Sequence, residues 1–471
     1  MFPERLKSVH FIGIGGINMS GVAKLLKRAG VSVTGSDVAS SEITDELGKL
    51  GVEVFIGQHN KKNVSADVDL VIYSSAVPEL NPERAEARKL NIPQLTNFEF
   101  LGVWTKGKRV ILVTGTHGKS TTTAMLGLML EAGDRDPTVI VGSKVPSFPD
   151  QNVRFGKSDI YVIEGDEYAK HFLAFEPYAI VLNNIELDHV DIFKDLSAIM
   201  EAFRELLSKI QPGGILLANA DDKNVQTLIG QERAHLEAKR ITIKTFGFGS
   251  HATQQILDYS VRPGEQTFAL KNIHGLATRF HLHVPGKMNV MNVSGALSLA
   301  FHAGISSEVL QNAVESFEGI WRRFQKIAEK DGVIVISDYG HHPTAVRETL
   351  EATKRFYPGR RIVLCFQPHH RNRTKHLFKQ FVTCFDQADV VLLTEIYDVA
   401  GRNDKADEGI SSRDLQEAVI RHDAERMIHR QVDYADSPAS ALEILKRWKQ
   451  DRDIILVMGA GDIYTIADKI L

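Results

Sequence analysis

Cysteine is almost absent. Only Cys365 and Cys384 occur in 471 residues, too few for a disulfide framework and without the clustered spacing of a zinc site. Both read as buried thiols in a reducing compartment. No apolar run approaches the roughly 18 residues that a membrane span requires. The opening Met1-Phe2-Pro3-Glu4-Arg5-Leu6-Lys7 lacks the apolar core of an export signal, so a cytoplasmic protein without membrane insertion is expected. A strong excess of one charge is also missing: 56 Lys plus Arg against 59 Asp plus Glu leave a net −3, which disfavours general nucleic-acid binding. Solenoid-type repeats and low-complexity tracts are lacking too. What is present, 43% hydrophobic and 24% charged residues, suits a chain that folds unaided. At roughly 150 residues per domain, the length suggests about three domains.

The strand and helix signals divide the chain into consecutive α/β units over 1–106, 107–320 and 321–471. In the first, strand Ser8–Ile12 runs into Gly13-Ile14-Gly15-Gly16, a helix reaches Arg28, and a strand over Val31–Asp37 completes a βαβ unit. Strand Leu70–Tyr73 ends at Ser74-Ser75, and Trp104–Lys108 is a polar break suited to a linker. The second unit repeats strand, glycine loop and helix from Arg109, with further strands at Ile160–Ile163, Ala179–Leu182 and Ile215–Ala218 and a helix over Leu196–Ile210. Hairpin-like alternation between Ile241 and Val284 suggests a small antiparallel addition before a helix near Asn289. The third unit places strands at Val333–Ile336, Ile362–Cys365, Val390–Leu393 and Ile454–Met458, with a helix over Thr344–Phe356.

Chemistry concentrates where strands end. Gly115-Thr116-His117-Gly118-Lys119-Ser120, between an apolar strand and a helix, offers backbone N–H groups and a helix N-terminus to an anion. Lys119 would sit on the β/γ-phosphates and the Ser120 hydroxyl on Mg²⁺, although two residues separate the glycines where the common phosphate loop has four. Glu164 follows the apolar run of the next strand and suits a hard cation, whereas Glu167 reads equally well as a solvated acid. His189 reaches the same edge from the following strand. The first glycine loop suits a pyrophosphate, with Asn18 where the dinucleotide fingerprint has its third glycine. Asp37 is either a ribose-binding acid or a turn residue. A nicotinamide oxidoreductase is therefore an alternative, but it leaves the second glycine loop unexplained. Near the C-terminus, His341-His342 and His369-His370 are paired histidines without a third ligand at metal spacing, which argues against zinc. Their neighbouring arginines suit a carboxylate or phosphate.

Taken together, His10-Phe11-Ile12-Gly13-Ile14-Gly15-Gly16, Met19-Ser20-Gly21, Gly35-Ser36-Asp37, Gly115–Thr123, Asp188-His189, Asp338–Thr344, Phe366-Gln367-Pro368-His369 and Gly459-Ala460-Gly461-Asp462 resemble the Mur ligase family of ATP-dependent amide-forming enzymes of peptidoglycan precursor synthesis. The resemblance implies three α/β domains: an N-terminal Rossmann-like domain for a UDP-sugar, a central P-loop ATPase-like domain, and a C-terminal Rossmann-like domain for an amino acid. It implies UDP-N-acetylmuramate and L-alanine as substrates, joined through an acyl phosphate with ATP and Mg²⁺. The alternatives are attachment of a murein tripeptide, toward which Leu182–His189 and Asp191-Ile192-Phe193 lean, and a non-catalytic nucleotide-binding module. A monomer or weak homodimer is expected.

Carried over by the same resemblance, Gly15, Gly16, Asp37 and Ser75 face the UDP-sugar. Gly115, Thr116, His117, Gly118, Lys119, Ser120 and Thr121 hold the nucleotide phosphates. Asn292 approaches adenine, Asp338 the ribose and Arg323 the phosphates. Ser120 and Glu164 bind one Mg²⁺ and His189 a second. Tyr339, His341, His369 and Arg373 line the amino-acid pocket, with His341 or His369 as a base. Two positions depart from the family pattern: Met288 stands where histidine is usual, and His370 where many members have arginine, leaving Arg373 as the carboxylate anchor.

Overall fold

The computed structural model describes residues 6–189, 192–271, 275–398 and 409–471; Asp191 lies outside them. Three open sheets follow one another along the chain, and no helix among the described residues is long and apolar enough to cross a membrane. The first sheet holds β1 (Ser8–Ile12), β2 (Ser32–Asp37), β3 (Glu53–Ile56), β4 (Leu70–Tyr73) and β5 (Gln94–Thr96) in the order β3-β2-β1-β4-β5. All its pairings are parallel. The order reverses between β1 and β4, so Gly13–Gly16 and Ser74-Ser75 flank one crevice, the usual ligand edge of such a sheet. The linker expected over Trp104–Lys108 begins one residue later, because Trp104 still closes the helix Asn97–Trp104, whose N-terminus is held by a reciprocal Thr96–Glu99 cap.

The second sheet comprises β6 (Arg109–Thr114), β7 (Thr138–Ile140), β8 (Val153–Arg154), β9 (Ile160–Glu164), β10 (Ala179–Leu182), β11 (Ile215–Asn219), β12 (Thr242–Gly247), β13 (Gln254–Arg262), β14 (Glu265–Lys271) and β15 (Ala277–Leu282). Its order is β15-β14-β13-β12-β11-β10-β6-β9-β7-β8. β6 lies between β9 and β10, in register Val113↔Glu164 and Thr114↔Leu182. This switch point brings the loop after β6, the acid ending β9 and the segment after β10 to one place. β10 is buried throughout, and β9 up to Glu164, as expected for parallel strands covered on both faces. The antiparallel addition is real but starts later than the alternation suggested: β12 pairs parallel with β11, and β13–β15 form the antiparallel ladders of that stretch, while β7 and β8 pair antiparallel at the opposite edge.

The third sheet holds β16 (Gln325–Lys330), β17 (Val333–Asp338), β18 (Ile362–Phe366), β19 (Val390–Thr394), β20 (Gln431–Ala435) and β21 (Ile454–Met458), ordered β16-β17-β21-β18-β19-β20 and parallel except for edge strand β16. Asp338, Met458 and Phe366 share one level across it, so the three polar turns that follow them converge. Cys365 and Cys384 are both buried free thiols.

The segment after β7 joins all three units. Buried Lys24 of the first donates to Asp150 O and Asn152 Oδ1, each at 3.0 Å. Lys144 Nζ lies 2.8 Å from Glu42 and 3.2 Å from Glu46, while its carbonyl accepts the Trp321 N–H at 2.9 Å.

Within the first unit, Glu83 is fully buried and is met by His10 Nε2 at 3.1 Å, Ser36 Oγ at 2.6 Å and Asn63 Nδ2 at 2.7 Å. Burial alone would raise its pKa, but these donors bring it down to about 2 from an ordinary 4.5. A depressed carboxylate stabilises the fold above its unfolded pKa, and that stability is lost as pH falls through the folded value. Glu83→Gln should therefore remove on the order of 2–3 kcal/mol at neutral pH and flatten the loss of stability between about pH 4.5 and 2, measured by denaturant unfolding at stepped pH. An unchanged acid limb in the variant would contradict this.

Candidate functional site

The loop after β6 is shaped by backbone constraints that only glycine meets. Gly118 caps the helix Lys119–Ala132 at φ +80°, and a Cβ there would lie 2.0 Å from Asn292 Oδ1. At Gly115, with φ +133°, a Cβ would meet the Asn184 backbone at 2.9 Å. Thr116 and His117 are tied to the segment after β10: Thr116 Oγ1 accepts Glu186 N–H at 2.8 Å, and His117 N–H donates to Asn184 Oδ1 at 2.8 Å. Lys119 folds back over the loop, donating to Gly115 O at 2.7 Å and lying 2.8 Å from a Glu167 oxygen. Burial lowers the basicity of Lys119, but Glu167 and Asp166 more than restore it, so the ammonium is held.

Around it gather acids in a cation's geometry. Ser120 Oγ donates to Glu164 Oε1 at 2.8 Å, and Gly142 N–H donates to Glu164 Oε2 at 2.6 Å. Burial nevertheless raises the Glu164 pKa against Lys119 and these donors. Glu167, expected to be equally at home in solvent, is fully buried, with one oxygen accepting from Lys119 Nζ at 3.0 Å and the other 2.8 Å from the same ammonium. The turn after β9 aims it back under Lys119, where His189 Nε2 lies 3.5 Å away. Asp166, Glu167 and His189 present ligand atoms within 4.8 Å of one another. Glu167 and Asp188 offset the burial of His189 and raise its pKa. This oxygen-rich set around a buried carboxylate fits a hard divalent cation.

Beyond the loop opens a cavity of about 400 Å³ between the second and third sheets. His117, Gly118, Thr121, Asn292, Arg323 and Asp338 all line it, as do Met288 and Phe248. Asn292 Nδ2 bonds Asn289 Oδ1 at 3.2 Å. The Arg323 guanidinium lies 4.8 Å from the Tyr339 ring centroid and pairs with no carboxylate among the described residues. Asp338, expected at the ribose, lines the cavity, and its two oxygens each accept one backbone N–H, from Phe324 at 2.7 Å and Gly340 at 2.6 Å. Its structural duty is to shape the turn after β17.

The polar turns of the third sheet bring Tyr339, His341 and His369 together, with centroids 5.3 Å apart for Tyr339–His341 and 5.7 Å for His341–His369. Burial and Arg373 push His341 down to about 3, and burial with His341 pushes His369 well below the usual imidazole range. Both imidazoles are thus held below their ordinary basicity in this arrangement. Arg373 is likewise committed: buried, it donates from Nε and Nη2 to Asp188 Oδ1 at 2.9 and 2.8 Å. Its remaining Nη1 reaches His369 Nδ1 at 3.2 Å.

In the first crevice, the expected ribose acid Asp37 instead accepts the Gly15 N–H at 2.8 Å, and a Cβ on Gly15 would come within 2.9 Å of that oxygen. Gly16 and Ser75 are exposed at the crevice.

Comparison with known proteins matches this arrangement along the whole chain. Residues 8–109, 113–300 and 322–461 match the Mur ligase catalytic, middle and glutamate ligase domains. The UDP-N-acetylmuramate–L-alanine ligase of Solibacter usitatus is 37% identical over 467 residues, 99% of this chain and 95% of the relative. That of Clostridium acetobutylicum is 37% identical, covering 99% and 97%. This chain belongs to the Mur ligase family. Among solved structures, the UDP-N-acetylmuramate–alanine ligase of Thermotoga maritima superimposes with a TM-score of 0.79 at 26% identity, covering 98% of both chains. A murein peptide ligase of Psychrobacter arcticus shares the fold, with a TM-score of 0.70 at 22% identity over 98% of both chains.

As in any chain read without its fold, some residues of this Mur ligase site escaped the sequence. The sequence assigns no role to Asn184 or Glu186, leaves Glu167 between ligand and solvated acid, and holds Asp188 only as part of a motif; the signal available was their place just past two buried strands that share a neighbour.

Gly118→Ala should cost about 1–3 kcal/mol through forced left-handed backbone and abolish the stabilisation by ADP in thermal melts; a normal ADP shift would oppose the cradle geometry. Asp188→Ala, which leaves buried Arg373 unpaired, should cost about 3–5 kcal/mol, and adding Arg373→Met should restore most of it in denaturant unfolding.

Proposed function

We infer that this chain is an ATP-dependent ligase joining the carboxylate of UDP-N-acetylmuramate to the amine of L-alanine, with release of ADP and phosphate, in the cytoplasm. Full-length identity to L-alanine ligases carries the reading, and a cavity edged by His117, Gly118 and Arg323, with Lys119 folded over the same loop, supports it. The first unit (1–106) takes the UDP-sugar at Gly15, Gly16 and Ser75, with Asp37 holding the loop. The second (107–320) takes ATP, and the third (321–471) takes the amino acid.

A carboxylate is a poor acyl donor because its leaving group would be oxide. Bound ATP and Mg²⁺ supply the phosphoryl group that makes an acyl phosphate and the charge that offsets its oxygens. Ser120 and Glu164 would hold one Mg²⁺, and His189 with Glu167 a second. Lys119, released from Gly115 O, and unpaired Arg323 place positive charge where phosphate oxygens gather it. Asn292 and Asn289 edge the cavity at the base end. Unprotonated His341 and His369 accept hydrogen bonds from the incoming amine and orient its lone pair toward the acyl carbon. As the amide C–N bond forms, the acyl C–O bond breaks and phosphate leaves carrying the proton that the amine gives up.

Lys119→Ala should lower phosphate release by at least about a thousandfold, the scale of losing a principal charge stabiliser, while calorimetry still detects UDP-N-acetylmuramate binding; retained turnover would reject the assignment. Offered L-alanine or the murein tripeptide in parallel, the protein should give only the product one alanine residue heavier by mass spectrometry. A tripeptide product would transfer the reading to the recycling reaction.

A further inference from the structure

By spacing along the chain, the pair His341-His342 lacks a third metal ligand. The fold supplies two from another sheet. Glu186 Oε2 lies 2.8 Å from His117 Nε2 and 3.7 Å from His342 Nδ1, and the two rings stand 5.1 Å apart. One ligand atom from each falls within 4.8 Å of the others. A tetrahedral zinc centre with bonds of about 2.0–2.1 Å separates its donors by about 3.3 Å, a value these distances bracket.

The donors are also chemically ready. His342 is buried; its Nε2 has no hydrogen-bond partner, and its Nδ1, the nitrogen nearer Glu186, accepts a long 3.3 Å bond from Thr344 N–H that a metal bound there would displace. Thr344 Oγ1 holds the other Glu186 oxygen at 3.1 Å. His117 and Glu186 line the nucleotide cavity, so a fourth position faces its open volume. The set of two imidazoles and one carboxylate favours zinc over magnesium. The Asp166–Glu167–His189 group, richer in oxygen, has the opposite preference.

We propose that His117, Glu186 and His342 form a binding site for a transition-metal dication, Zn²⁺ foremost, that pins the third unit to the glycine loop. A metal shared by both units favours the arrangement that brings its ligands together. Zn²⁺ therefore restrains the opening of the nucleotide cavity and slows turnover. The slowing rests on the ligase reading; the binding does not.

The test is calorimetric titration of Zn²⁺ into the full chain in a large excess of Mg²⁺. His342→Asn retains a helix-capping side chain but loses the imidazole, and Glu186→Gln keeps the shape beside Thr344. One Zn²⁺ per chain should bind undisplaced by Mg²⁺, each variant should weaken it by at least about tenfold, and His189→Ala should leave it unchanged. In ligase assays, the fraction of activity lost to Zn²⁺ should fall in His342→Asn. Unaltered Zn²⁺ affinity in both variants, displacement by Mg²⁺, or loss of binding in His189→Ala overturns the proposal. Intact Zn²⁺ binding with no ligase activity in the wild type would instead sink the reading of the function.

Discussion

The site depends on one buried ammonium. Glu164, Glu167 and Asp166 converge where β6, β9 and the segment after β10 meet, and carboxylates so close and so poorly solvated are tolerable only with positive charge among them. Lys119 provides it, 2.8 Å from Glu167. The same group that binds phosphates is therefore also the internal counterion that lets the cluster fold. The acids thus have a counterion within the protein before any ligand arrives.

A second pair extends this logic across the junction with the third unit. Asp188, one residue before His189, is held well below the usual carboxylate range by Arg373 despite burial. Glu186, two residues earlier, is met by Thr344 from the same unit. The six residues from Asn184 to His189 thus bond the glycine loop on one side and the third sheet on the other. Lys24 and Lys144 do the equivalent for the first unit. Orientation of three separate sheets is set by a few charged contacts at strand ends, while the apolar clusters hold each sheet internally.

Much of this was legible in residue order. Ser8–Ile12, Leu70–Tyr73, Ala179–Leu182 and Ile454–Met458 are strands with the bounds that their apolar runs suggest, because parallel strands covered on both faces cannot hide their composition. Other features were not. Thr242–Gly247 alternates like a hairpin strand yet pairs parallel with β11, since pairing direction is decided by the neighbour available and not by local pattern. Asp37, Asp338 and Arg373 have the right chemistry for ligands, yet each is bonded within the protein. A side chain's type does not say whether a backbone N–H or a buried partner will reach it first.

The sequence by itself determined the order of α/β units, the glycine loops and the family to which they point, because these are local: strand, turn and helix start lie within some twenty residues. Only the tertiary structure decided that Glu167 is buried under Lys119, that Arg373 serves Asp188, and that His342 stands beside His117. Those pairs are separated by 48, 185 and 225 positions. Their meeting follows from strand order at the switch points, which the whole packed sheet settles and no short stretch encodes.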